Sequence, residues 1–416
     1  MLTLLNFITP ANSHSLPVNL ASVSDLLPPT LYGLLGILTA ELARDCYHLA
    51  GHYWSPLIPW HNLHHKAYRP DFSKTSEALY RRAELLNDVP EALFMVAVTA
   101  LVGWWVNPAL WLGCAYAGGF LLTSLGRSQG WWSSTDFTHL PGDLQEPPRE
   151  WLVNRTYHWR HHFDYTNAYF GGTFTVVDRI LGTALSLKNK TIAITGASGA
   201  LGMALIDQLR QKGAKLVALT THPESTFPEG VEIVPWQLER EQELKALLER
   251  VDILILNHGV NVHHERSPEA IALSYQVNTW SVWRWFELFC STVTESKHRA
   301  LKEVWINTSE AEVSPAFSPV YELSKRTIGD LITLRRLDAP CVVRKLILGP
   351  FRSKLNPIGV MSPRFVAWAI VALAQRDFRN IIVTINPLTY VLFPLKELMR
   401  SLYFRLCSRP SAPRQP

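Results

Sequence analysis

From Val89 to Leu125 the chain carries a single charged side chain, Glu91 near its start, and its main interruption is the step Asn107-Pro108. A backbone this apolar has to satisfy its own hydrogen bonds wherever water is excluded, which favours helix. Each half is about long enough for a short crossing at roughly 17 to 25 residues per span, and Asn-Pro makes a turn between them. The expectation is a hairpin of two helices that enter and leave a membrane on one side. Arg81 and Arg82 before it and Arg127 after it put both ends on the cytoplasmic side by the positive-inside tendency. Trp104-Trp105 and Trp131-Trp132 suit interfacial anchors. A buried hairpin of a soluble fold is the competing reading, since the helices are short and mean hydropathy is near zero. No charged, apolar and small-residue succession at the N-terminus argues for a secretory signal.

Histidines flank this hairpin. His61-x-x-His64-His65 and His158-x-x-His161-His162 repeat one arrangement, and His48-x-x-x-His52 precedes them at the end of an apolar helical stretch, Leu31 to Ala43. Offsets of three and four return to one helix face, so each cluster aims its rings at one point. Neutral imidazole is the commonest metal ligand, and one tetrahedral zinc uses only four. Eight converging rings therefore point to two metal ions. His139, in Asp136-Phe-Thr-His139, adds a ninth ligand.

This order of clusters around a hairpin resembles the fatty acid hydroxylase/sterol desaturase superfamily over roughly residues 30 to 187, as does the continuation from Asn167 through Asp178 to Thr183. The resemblance implies a non-haem di-metal centre, usually di-iron, which activates O₂ and oxygenates an unactivated C–H bond of an apolar lipid with electrons from a separate donor. Nitrogen-only ligands suit iron and do not exclude zinc. Many relatives carry a further histidine four residues from the single one. Here those positions are Thr135 and Asp143, so Asp143, Asp136 or a water is left to complete the shell. Asp45, Asp164 and Asp178 lie near the clusters, either to hold the second ring nitrogens or to cap helices.

A chain of 416 residues exceeds what one core usually organises. The first part is rich in Trp and poor in charge, whereas after Lys188 apolar runs alternate with Lys/Glu-bearing segments. The expected division is 1–187, all-α and membrane-embedded, and 188–416, an α/β doubly wound parallel sheet. A net charge of +5 without a long basic run makes nucleic acid an unlikely partner. Five scattered cysteines suit a reducing compartment.

The second part opens on Thr191-Ile-Ala-Ile-Thr-Gly196-Ala-Ser-Gly199-Ala-Leu-Gly202, a strand that breaks into a glycine turn and then a helix. Such a turn lets the backbone approach a pyrophosphate while the helix N-terminus offers free N–H groups. Strands are expected near 215–220, 231–235, 251–256, 303–308 and 341–348. Asn257-His-Gly259, Asn278, Ser309 and Tyr321-Glu-Leu-Ser-Lys325 follow in an order that resembles the short-chain dehydrogenase/reductase family. The resemblance implies Tyr321 as general acid/base, its phenol pKa depressed by the Lys325 ammonium on the same helix face. It implies Ser309 to orient the reacting oxygen, with Thr308 or Ser314 as alternatives, and Asn278 to hold a water of the proton relay. Gly196, Ser198, Gly199, Gly202, Asn257, Gly259 and Lys325 would bind NAD or NADP. The second strand ends Thr220-Thr221-His222 with no carboxylate for a ribose 2′-hydroxyl, which leans toward NADP. The tail 381–407 alternates apolar stretches with Lys396, Arg400 and Arg405, as a membrane-surface helix, a lid or a docked helix would.

Together these features predict a bifunctional membrane lipid oxidoreductase, an O₂-dependent hydroxylase or desaturase joined to an NAD(P)H-dependent alcohol/carbonyl dehydrogenase, acting in lipid biosynthesis. The three-residue bridge Lys188-Asn-Lys190 suggests that a product passes directly between the sites. The alternatives are an active reductase on a degenerate histidine anchor, and a non-catalytic NADP(H)-binding assembly protein.

Overall fold

A computed structural model describes residues 29–133 and 136–409, so Thr135 lies outside the described residues. The helical part begins with α1 (Pro29–Tyr53), α2 (Ile58–Lys66) and α3 (Glu77–Ala83). A π-helical turn, Glu84–Asp88, carries α3 into α4 (Val89–Trp105), and Asn107 caps the turn that leads to α5 (Trp111–Gln129). Two continuous helical stretches, Glu77–Trp105 and Pro108–Gln129, are long and apolar enough to cross a membrane. Their outward side chains are apolar and exposed, among them Leu101, Trp104, Trp105 and Leu122. α1 packs against both, and it touches α5 so closely at Gly36 and Gly113 that a Cβ on Gly113 would overlap the Gly36 backbone. Small residues at such a crossing let apolar helices pack by backbone contact. α6 (Arg155–Phe163) and α7 (Val176–Leu181) complete this part.

The second part runs β1 (Thr191–Thr195), α8 (Ala200–Gln211), β2 (Lys215–Thr220), β3 (Glu232–Pro235), α9 (Lys245–Glu249), β4 (Ile253–Leu256) and α10 (Pro268–Tyr275). A second π segment, Gln276–Ser281, leads into α11 (Val282–Ser291), α12 (Ser296–Leu301), β5 (Glu303–Asn307), α13 (Pro319–Arg335), β6 (Val342–Leu348), α14 (Pro363–Gln375), β7 (Asn380–Val383) and α15 (Thr389–Cys407). The strands form one sheet in the order β3-β2-β1-β4-β5-β6-β7, parallel throughout. Alternation divides each strand between two cores. Ile192 and Ile194 meet α8 and α14 through Leu205, Leu209, Val366 and Ile370, whereas Ala193, Leu254 and Ile306 face Trp285, Phe289 and Ile328 of α11 and α13. This is a doubly wound Rossmann-type sheet.

The structure corrects the reading of the tail. Ile381 to Val383 form the seventh strand rather than the start of a surface segment, because this short β-branched run pairs with Leu346–Leu348 and buries Ile381.

Among the described residues, the helical part meets the second part at α12, through Ser296 and Ala300, and where strands begin. Asp164 pairs with Lys190 ahead of β1 (2.6 Å), Arg160 with Glu303 at the start of β5 (3.0 Å), and Arg179 donates to the Asp377 carbonyl ahead of β7 (3.3 Å). In a parallel sheet all strand starts share one edge, so the glycine turn after β1 lies at the other. Five residues of β1 separate the two by about 17 Å.

Candidate functional site

The histidine clusters converge from α1, α2, α6 and the turn at Phe137–His139 into two adjacent groups. His48, His52, His61, His65 and His161 form one, and His64, His139, His158 and His162 the other; within each, one ligand atom per ring lies within 4.8 Å of all the rest. Nε2 atoms face each other at 2.9 Å for His48 and His161, 2.8 Å for His52 and His61, and 2.9 Å for His139 and His158. Nitrogens at such distances either share a hydrogen-bonding proton, as the tautomer decides, or turn their lone pairs toward a common cation. Burial acts in the same sense, holding His158, His161 and His162 well below the usual imidazole pKa and His61 at about 3, where the rings are neutral ligands.

The rings are aimed through their other nitrogens. His61 Nδ1 meets Asn87 Oδ1 (3.1 Å), His64 Nδ1 faces Asp88 Oδ1 (3.3 Å), His139 Nδ1 meets Asp136 Oδ2 (2.5 Å), and His161 Nδ1 donates to the Ala168 carbonyl (2.8 Å). Burial disfavours the charged form of His64, but Asp88 outweighs it and raises the pKa to about 9. Metal-bound imidazoles are oriented by just such partners. The π turn Glu84–Asp88 supplies two of them, its extra residue turning Asn87 and Asp88 toward α2.

These are not the carboxylates expected. Asp45 accepts from Gly172 N, Asp164 is taken by Lys190, and Asp178 accepts from Phe170 N, Gly171 N, Tyr157 and Thr183. All three brace the chain around the clusters, because the Nδ1 atoms of His61, His64 and His139 meet Asn87, Asp88 and Asp136 instead, and that of His161 meets a backbone carbonyl. Asp136 holds His139 from outside the ligand group, and Asp143 joins neither group.

At the far edge of the sheet the glycine turn has the form a dinucleotide needs. Gly196 has φ +61°, and a Cβ at Gly202 would stand 2.6 Å from the Ala197 carbonyl. Only glycine lets α8 start this close to the turn. No side chain caps α8, so its first amides are free to face a phosphate. Asn257 locks the turn from β4, donating to the Gly196 carbonyl (3.3 Å) and accepting from Asn307 (3.0 Å), and Ser198 accepts from Thr220 (3.2 Å). Gly259 leaves room for the Asn278 amide, 3.1 Å from where its Cβ would be.

Ser309, Tyr321 and Lys325 meet beside this turn. Ser309 faces Tyr321 closely enough to favour its ionised form, while Thr308 is turned to the Leu346 carbonyl and Ser314 to Asn386. Lys325 Nζ donates to the Asn307 carbonyl (2.9 Å) and lies 5.9 Å from the Tyr321 ring centre. The expected lowering of the phenol pKa by Lys325 is not what this arrangement gives. Burial raises it and Ser309 opposes the rise, while burial lowers Lys325 to about 8. Asn278, in the second π segment, accepts from Val260 N (2.8 Å) and donates to the Val260 carbonyl (2.9 Å), Ser274 (3.2 Å) and Ser324 (3.1 Å), fixing the loop after β4 against α13.

Residues 33–183 match the fatty acid hydroxylase family. A monoglucosyldiacylglycerol epimerase from Synechocystis sp. is 52% identical over 398 residues, 91% of this chain and 97% of that protein. Among solved structures, a short chain dehydrogenase from Burkholderia cenocepacia in complex with NADP is 18% identical over 54% of this chain and 100% of its own, with a TM-score of 0.44. A short-chain dehydrogenase from Sphingobium yanoikuyae in complex with NADPH is also 18% identical, over 55% and 100%, with a TM-score of 0.43.

Proposed function

Because the chain belongs to the family of the Synechocystis monoglucosyldiacylglycerol epimerase, we propose that it inverts one carbinol of a glycolipid sugar by oxidation and re-reduction at Tyr321. The observation that carries this is the meeting of Ser309, Tyr321 and Lys325 beside an uncapped helix and a glycine turn. Bound NADP would supply a hydride acceptor and, once reduced, a hydride donor. Ser309 holds the carbinol oxygen, and Tyr321, once deprotonated to the phenolate, takes its proton as the C–H electrons leave. The resulting ketone turns to present its other face, and Tyr321 returns the proton to the oxygen as the C–H bond re-forms with opposite configuration. Atoms and electrons balance with no net oxidant, so inversion at this site consumes no O₂. Lys325 keeps positive charge near the phenol and the ribose. NADP is favoured over NAD because Thr220 and its neighbours offer no carboxylate to a 2′-hydroxyl.

The imidazole groups favour a second activity in the same chain, metal-dependent oxidation of a lipid C–H bond with O₂ and an external electron donor. The donor set fits two transition-metal ions, which would supply oxygen activation when bound. We read residues 1–187 and 188–416 as the two domains, with both sites on the cytoplasmic side of a membrane. The decisive experiment incubates the purified protein and Tyr321→Phe with NADP and monoglucosyldiacylglycerol in the absence of O₂. The wild type should yield the epimer, and Tyr321→Phe should bind NADP but yield none. Inversion by Tyr321→Phe, or a strict O₂ requirement, would refute the assignment.

A further inference from the structure

α15 joins the two edges of the sheet. Its first residue, Thr389, reaches Glu310 next to Ser309 (3.4 Å), and Glu397 is bound through Arg336 to Asn380 at the start of β7. The helix then continues to Cys407, on the side from which the helical part approaches; at ~1.5 Å per residue it is about 28 Å long. Thr389, Phe393 and Glu397 are buried against the sheet half, while Leu395, Leu398, Met399, Leu402 and Tyr403 are all more than half exposed. Along this helix runs an open groove of about 580 Å³ lined by Val313, Leu392, Leu395, Met399 and Tyr403 together with Lys396 and Arg400, within the usual size of a ligand site. Val313 closes the 3₁₀ turn that Ser309 opens, so the groove starts about 8 Å from the catalytic serine. Phe317 and Ile358, on loops after β5 and β6 at the same edge, are 85% and 89% exposed.

We propose that this face of α15 is a track for the acyl chains of a lipid, along which a glycolipid reaches Tyr321 from the bilayer side. The inference rests on the glycolipid reading above. The two cations of the groove are turned to carboxylates, Lys396 to Glu312 (2.6 Å) and Asp330 (2.7 Å) and Arg400 to Asp330 (3.7 Å), which leaves the apolar side chains between them to meet an acyl chain. An apolar surface of this extent beside a polar site suits a lipid rather than water.

The test irradiates the full chain in vesicles with a diacyl glucosylglycerol probe bearing a diazirine on its acyl chain and maps adducts by peptide mass spectrometry. Adducts are expected on the segment 392–403, reduced about tenfold in Leu395→Glu/Met399→Glu and about threefold in the milder Leu395→Ala. The same variants should lower the kcat/KM preference for diacyl over deacylated substrate by at least tenfold and about threefold. Adducts confined to the hairpin helices, yields unchanged by the substitutions, or a dimer that shields 392–403 from the probe would overturn the track. If the wild type inverts neither substrate, the epimerase reading fails while adduct positions still decide the track.

Discussion

Glu303 is the residue on which the two halves of the chain are pinned, and its removal has a calculable cost. It is fully buried at the start of β5, where Oε1 accepts from Arg160 (3.0 Å) and Arg344 (3.1 Å) and Oε2 from Arg344 (2.8 Å) and Trp305 (3.2 Å). Glu303→Ala leaves Arg344 with Asp377 (2.7 Å) but strips Arg160 of its carboxylate, keeping only the Ala300 carbonyl (2.5 Å). An uncompensated buried charge costs about 3–5 kcal/mol. Burial opposes the charge on Glu303, but Arg344 and Arg160 overcome it and hold the carboxyl at about 2 instead of 4.5, worth about 3 kcal/mol by the same order. The sign follows from a depressed carboxyl: the stabilisation is complete above the unfolded pKa of about 4.3 and disappears as pH falls through about 2. Arg160 lies between His158 and His161 on α6, so the loss should also loosen the imidazole groups. Urea denaturation in detergent at pH 7 should show the full deficit for Glu303→Ala, a smaller one for Glu303→Gln, and reduced bound metal in both. A deficit below about 1 kcal/mol with unchanged metal content would refute the pin.

Asp88→Asn should weaken metal binding about 10- to 100-fold by releasing His64, measured as metal retained after dialysis; full retention would remove Asp88 from the site. Gly202→Val drives a side chain into the Gly196 and Ala197 carbonyls, and calorimetry should show NADP affinity falling at least tenfold, whereas unchanged affinity would place the nucleotide elsewhere. Because Lys325 is held at about 8, its ammonium is lost as pH rises through that value. Turnover should decline above pH 8, and a flat profile to pH 10 would deny the charge a role.

The parallel sheet was legible because its strands are buried on both faces and read as β-branched runs between glycine and polar turns. β7 escaped notice since four residues flanked by Arg379 and Asn386 look like part of a tail until β6 pairs with them. Eight imidazoles could be listed from helical spacing and His139 from its place between the hairpin and the last cluster, yet their orienting partners could not: Asn87 and Asp88 depend on a π turn, which changes facing without any periodic signal. A cue existed in the Asn-Asp pair set directly before an apolar run. The bridge Lys188–Lys190 was read as bringing two sites together, but linker length limits only where chain ends lie. Strand direction decides the rest.

That direction has a consequence for any traffic between the two chemistries. Hydride passes only between atoms in contact, and the length of the strands stands between the glycine turn and the imidazole groups, so no hydride passes directly from one to the other. What travels must be a whole molecule. A lipid that stays anchored in the bilayer diffuses in two dimensions and meets the same protein again before it escapes, so back-to-back placement costs such a substrate little while insulating each reaction from the other's reagents.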